Sequence, residues 1–364
     1  MRRMFIIMLV FLLSLSSVSS VSPVVVAAEP PLPLEELILQ QHLTQKELER
    51  SLTLLQAEEK TLQTEIAQLT LDMGKQASVI AAMRKHAGEV AKAYYMGERV
   101  SLMSLLFDTE NFNDFLLLYE FLQLLYERDI NTLERFQQER AKLGQMQTTK
   151  QSRLARVTEL RKHFESQLQQ LMIVQAEKER NLNKLSNPAS VETLMDHLIV
   201  DWRERGLPAF NTFFSELAAA MFQVQELATP ERISSEDLFS HTLTISEEDF
   251  NQFLMSKNEL FKQSRFTFDN DQLIVEGSYD QMNLRIEGNY EYVSPKELKF
   301  HITKLTFDGF ELPQTTIAEM EKKYDLGFYP SVISPNVQVQ SIRLADKALT
   351  LKLKLNFPFG FGKK

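Results

Sequence analysis

Residues 48–94 read LERSLTLLQAEEKTLQTEIAQLTLDMGKQASVIAAMRKHAGEVAKAY, and their apolar positions decide the fold. Leu48, Leu52, Leu55, Leu62, Ile66, Leu69, Met73, Ile80, Met83, Ala87, Val90 and Tyr94 step by four and three residues, broken only at Glu59 and Gln76. A 3.5-residue period makes a seam along one side of a helix that is buried only against another helix. At 1.5 Å per residue the stretch is a rod about 70 Å long. The sequence offers a partner from about Phe112 to Leu185, so the expectation is a coiled-coil hairpin followed by an α+β domain. Pairing with a second copy of the chain, a homodimer through the coiled coil, stays open.

The surrounding composition agrees. From Leu34 to Asn187 there is no proline, and the only glycines are Gly74, Gly88, Gly97 and Gly144. Proline is excluded from helix interiors because it lacks a donor and its ring clashes with the preceding turn. Gly97 is placed to end the first helix, with Ser101 capping a short one through Phe107 and 108–111 turning into the next. Of ten aromatic residues between Leu34 and Ser186, nine lie between Tyr94 and Phe136. The run from Phe115 to Tyr126 is more apolar than a two-helix seam needs, yet too short to span a bilayer. Either a compact helical knot buries these side chains, or some remain exposed as a docking face. The candidate docking residues are Tyr95, Leu105, Phe107, Phe112, Phe115, Leu117, Leu118, Phe121 and Leu125. The return helix keeps a looser seam through Leu143, Val157, Leu160, Phe164 and Leu171.

Working outward, residues 1–28 read as an export signal: Arg2 and Arg3, an apolar run from Met4 to Leu13, then Val26-Ala27-Ala28 before Glu29. An uncleaved membrane anchor is the rival reading. Residues 29–33 are a proline-rich spacer. The chain contains no cysteine, which excludes disulfides, thiol catalysis and lipid attachment at a lipobox. Its net charge is −9, and loss of Arg2 and Arg3 with the signal leaves 38 basic against 49 acidic residues, a net of −11. That opposes binding to nucleic-acid backbones. The location expected is extracytoplasmic, secreted or attached to a bacterial envelope.

Beyond 34–186, Asn187-Pro188 starts a new helix with a face of Val191, Leu194, Met195, Leu198, Ile199 and Trp202. Gly206 and Pro208 are expected to stop it and start another, whose face is Phe210, Phe213, Phe214, Leu217, Met221 and Val224. A polar connector from Thr229 to Ser240 completes this helical unit, 187–240. The region 241–356 alternates like strands: near Thr242–Ile245, Phe266–Phe268, Leu273–Glu276, Leu284–Ile286, Leu298–Phe307, Val337–Leu344 and Leu349–Phe357. Ser246-Glu247-Glu248-Asp249 caps a helix, another runs near Thr315–Tyr324, and Asn270-Asp271, Asp308-Gly309 and Asp346-Lys347 are turns. The expected result is one mainly antiparallel sheet with helices laid on it and a loose tail at 357–364.

Two resemblances attach to these residues. Tyr94-Tyr95-Met96-Gly97, the run Ser101–Phe107 and Asn111–Leu116 resemble the coiled-coil domain of the PcsB, EnvC and CwlO class of peptidoglycan hydrolases and hydrolase activators, over about 34–186. The resemblance implies a tip that couples to an FtsX-like membrane partner or another wall-remodelling protein. The chain departs from that class because no catalytic domain follows. Without cysteine there is no NlpC-type peptidase. A LytM-type zinc site needs a His-x-His that is absent among the six histidines, which leaves His197 and Asp201 as two residues on one helix face. Residues 243–355 are similar to LmeA-like tubular lipid-binding proteins, through the strand–helix at 242–254, Phe310-Glu311-Leu312-Pro313 and Tyr329-Pro330. That implies a curved sheet round a helix and a groove for acyl chains, with no groove residue assignable. No phosphate loop, Gly-x-Ser-x-Gly or His-Glu-x-x-His occurs. The expectation is a non-enzymatic envelope scaffold without a cofactor or metal, and the alternative is a lipid-handling module on a stalk.

Overall fold

The computed structural model describes residues 32–279 and 281–356. The expected signal segment, most of the spacer and the tail at 357–364 lie outside them. Two helices dominate: α1 (Leu34–Tyr95) and α3 (Phe112–Leu182), joined by α2 (Glu98–Ser104) and a 3₁₀ turn at Leu105–Asp108.

Cross-links between α1 and α3 run in opposite numerical directions, which makes the pair antiparallel. Asn181 Nδ2 donates to Gln41 Oε1 at 3.1 Å and Lys178 Nζ to Gln45 Oε1 at 2.6 Å. Farther out, Arg156 meets Glu58, Arg153 meets Glu65, and Gln76 Nε2 donates to the Glu139 carbonyl at 3.1 Å. The seam positions from Leu48 to Val90 are buried or half-buried. Its two polar breaks are cross-helix partners: Glu59 accepts from Arg161 Nε at 2.8 Å, and buried Gln76 bonds both the backbone and carboxylate of Glu139. At the far end the seam passes to buried Ala93, leaving Tyr94 partly exposed.

The body follows as α4 (Pro188–Asp201), a π-helical turn (Trp202–Gly206), α5 (Leu207–Met221), β1 (Ile233–Ser235), β2 (Ser240–Ser246) and α6 (Glu247–Lys257). Then come β3 (Ser264–Asp269), β4 (Gln272–Tyr279), β5 (Met282–Ser294), β6 (Glu297–Phe307), β7 (Phe310–Glu311), α7 (Gln314–Lys323), β8 (Val337–Ala345) and β9 (Ala348–Leu355).

Four expectations are corrected here. Gly206 and Pro208 do not interrupt the helical path between α4 and α5. The Leu207 N–H reaches back five residues to the Trp202 carbonyl, and this wide turn passes α4 into α5 with Pro208 in the first turn, where its missing donor costs nothing. Gly206 is required there, since a β-carbon would lie 2.6 Å from the Trp202 ring and 2.7 Å from Phe307. The strands form two antiparallel sheets rather than one, ordered β1-β2-β9-β8 and β3-β4-β5-β6-β7. The polar connector holds a strand, since β1 pairs with β2 from Ile233↔Leu243 to Ser235↔His241. Leu194, assigned to the apolar face of α4, is exposed.

Local signals elsewhere hold. Ser246 Oγ accepts from the Asp249 N–H at 3.1 Å and caps α6. Asn270-Asp271 and Asp346-Lys347 take positive φ at both residues, the type I′ geometry that suits a two-residue hairpin. Leu349, Leu351 and Leu353 point into the core while Lys352 and Lys354 face out. The core is aromatic: Trp202 packs on Phe307 at 5.2 Å, and Phe213 on Phe261 at 5.6 Å.

The body also takes in the first turns of α1. Leu43 belongs to the main core, and Ile38 packs on Val191 and Met195. Glu47, 2% exposed, accepts from Trp202 Nε1 at 2.6 Å, Thr316 Oγ1 at 2.7 Å and the Arg50 guanidinium at 3.0 Å. Arg50 also reaches Glu319 on α7. Burial alone would lower the Arg50 pKa, but hydrogen bonds to Glu319 and Glu47 outweigh it and hold the guanidinium charged. Beyond this joint, Glu58 accepts from both Lys322 of α7 and Arg156 of α3.

Candidate functional site

The end of the α1–α3 pair remote from the body is built by a chain reversal. Gly97, at φ 74°, occupies the left-handed conformation that glycine tolerates best, and ends α1 just beyond Tyr95. Its carbonyl accepts from Ser101, whereas Ser101 was expected to be the cap; Gly97 itself holds the N-cap position of α2. Asn111 caps α3, its Oδ1 accepting from the Asp114 N–H at 2.9 Å.

What holds α2 in place is a charge pair. Arg99 Nε donates to Asp129 Oδ2 at 2.6 Å, and Asp129 is buried. The geometry is bidentate, with Nη2 at 3.3 Å from Oδ1. Sequence reading missed this pair. Its signal was present, since Asp129 sits on the seam side of α3, where a carboxylate requires a partner.

Neither α2 nor the 3₁₀ turn contains a buried residue, so no compact knot covers the aromatics. Tyr95 is 89% exposed, Phe107 88% and Leu117 67%. Leu105, Phe112 and Phe121 are exposed too, whereas Phe115, Leu118 and Leu125 are half-buried toward the seam. The structure therefore divides the nine candidates, with six presented to solvent and three used partly in helix pairing. Exposed Leu124, Val100 and Met103 belong to the same surface and were not among them. Leu124 was readable as the i+7 partner of Leu117.

A cleft between α2 and α3 opens beside this surface. It is lined by Val100, Leu102, Met103, Leu122, Leu125 and Tyr126, with a volume of about 160 Å³. Tyr94 also lines it, and its phenol pKa is raised, first by burial and then by the nearby Asp129 carboxylate. The cleft is apolar and accommodates a large side chain as an anchor.

The body has open clefts of about 440 Å³ beside Trp202 and Arg203 and about 770 Å³ beside Arg285 and Lys304, and one small apolar opening. The opening beside Phe213, Val275 and Ile286 holds about 10 Å³, room for one water molecule. His197 is exposed on α4, and Asp201 accepts from Arg205 at 3.4 Å rather than facing a shared ligand with His197. Among the described residues no group of three or more His, Asp or Glu side chains is placed to hold a metal ion. Nor is any helix among them long and apolar enough to cross a membrane.

Compared with known protein families and with curated proteins, the chain matches none.

Proposed function

We propose that this protein is a non-catalytic extracytoplasmic scaffold or regulator of the bacterial cell envelope. In this reading α1 and α3 work as a coiled-coil hairpin that holds its tip away from the body and docks a membrane-embedded or wall-remodelling protein. The observation that carries it is the exposure of Tyr95, Phe107, Phe112, Leu117 and Phe121 at one end of the α1–α3 pair. Exposed apolar clusters of this kind mark interaction surfaces, because leaving them in water forgoes roughly 25 cal/mol per Å² of burial. Length supports the same reading. A helix of 62 residues is about 93 Å long, and its contacts with the body described above lie between Ile38 and Glu58.

The test is site-specific photo-crosslinking in the cells that make the protein. A benzophenone side chain replaces Phe107 or Leu117 at the tip, and Leu71 midway along α1 as a control. The expected result is an adduct with one identified membrane or wall-remodelling protein from the tip positions alone. Adducts of equal yield from Leu71, or none from the tip, would refute it.

A further inference from the structure

The tip carries a second seam, distinct from the one that pairs α3 with α1. Leu117, Phe121 and Leu124 stand at i, i+4 and i+7 on α3, the spacing of one helix face. Leu117 is 67% exposed, Phe121 59% and Leu124 66%. At 100° per residue their stripe lies about 100° around the helix from the line of Leu118, Leu122 and Leu125 that faces inward.

The charge around this stripe is one-sided. Residues 94–127 contain Glu98, Asp108, Glu110, Asp114, Glu120 and Glu127 against Arg99 alone, a net of −5. Arg99 is already committed to Asp129. Glu120 and Glu127 run along the Leu117–Leu124 side of the stripe, and Asp114 along the Phe121 side. Glu120 and Glu127 have no cationic partner among the described residues, Glu127 accepting only from the Gln123 amide at 3.2 Å. Arg128 lies in line with the stripe at its body-side end.

We infer that the tip takes a partner helix whose heptad-spaced apolar seam is flanked by lysine or arginine. This rests on the docking reading above and names the chemistry of the partner. A helix laid on the stripe buries leucine and phenylalanine against leucine-like side chains, and its flanks meet carboxylates on both sides. The same charges disfavour two other occupants. An anionic lipid surface meets carboxylates on both sides of the stripe, and a second copy brings its own Glu120 and Glu127 against these.

The experiment uses the full chain and two fluorescein-labelled synthetic peptides of four heptads. Both have isoleucine and leucine at the seam positions; one has lysine and the other glutamate at the flanks. Fluorescence anisotropy is expected to show the lysine peptide binding at least about tenfold more tightly than the glutamate peptide at low salt, a gap that closes as salt rises. The triple variant Leu117→Ser, Phe121→Ser, Leu124→Ser is expected to lose this binding. The double variant Glu120→Lys, Glu127→Lys changes no apolar contact and is expected to invert the preference. Equal binding of both peptides, binding by neither, or an unchanged preference in the double variant overturns the inference. If crosslinking at Phe107 and Leu117 captures a membrane protein while the lysine peptide fails, the docking reading survives and the partner chemistry falls.

Discussion

Trp202 Nε1 donates to Glu47 Oε1 at 2.6 Å, so the only tryptophan of the chain is tied to a carboxylate on the fourth turn of α1. The same carboxylate accepts from Thr316 of α7 and from Arg50. One buried group thus joins the long pair, the α4–α5 turn and α7, and the tip is held on whatever axis this joint sets.

Replacing Glu47 by alanine strands the Trp202 indole and the Thr316 hydroxyl in the core and leaves Arg50 with Glu319 alone. Breaking a buried charge network from one side costs about 3 kcal/mol. Urea unfolding followed by Trp202 emission measures it. Glu47→Gln keeps an acceptor for the indole and is expected to cost about half as much. A loss under about 0.5 kcal/mol in the alanine variant would show that Glu47 does not hold the joint.

The base of the pair carries a pH dependence. Burial, then the charges of Lys178 and Lys46, lower the His42 pKa from 6.5 to about 4. Above pH 6.5 neither the folded nor the unfolded chain binds this proton. Between 6.5 and 4 the unfolded chain binds it and the folded chain does not, so stability falls as the pH falls through that window. Between pH 7 and 5 the wild-type chain is expected to lose about 1–2 kcal/mol more than a His42→Gln variant. Urea midpoints at the two pH values decide it, and parallel losses in both proteins would exclude His42 as the source.

Gln76 is a buried polar residue inside the α1–α3 seam, and Glu139 is its partner. Glu139→Ala leaves the buried amide with one fewer acceptor and is expected to cost about 1 kcal/mol. Gln76→Leu combined with Glu139→Ala restores an apolar seam and is expected to recover that loss or exceed it, at the expense of a unique register. Thermal unfolding of the two single variants and the double variant forms a cycle. Strict additivity would mean that the two side chains are not coupled.

Period and composition alone determined the long helices. A proline-free stretch with a 3.5-residue apolar repeat forms helix whatever lies around it, and Gly97 and Asn111 mark its ends by backbone geometry that operates within a few residues. The strands near Phe266 and Leu351 were legible for the same reason, since a two-residue alternation states which face is buried. Only tertiary structure decided which element lies over each face. The strands close as two sheets because pairing joins β2 to β9 across a hundred residues, and no local pattern records that distance. Glu47 reads as helix surface until Trp202 and Thr316 arrive to bury it. Leu117 and Phe121 are apolar by sequence, like Phe210 and Phe213. The difference is that the α5 rings pack against Phe261, Phe266 and Tyr324 in the core, whereas nothing in the described chain covers the outward face of α3 at the tip.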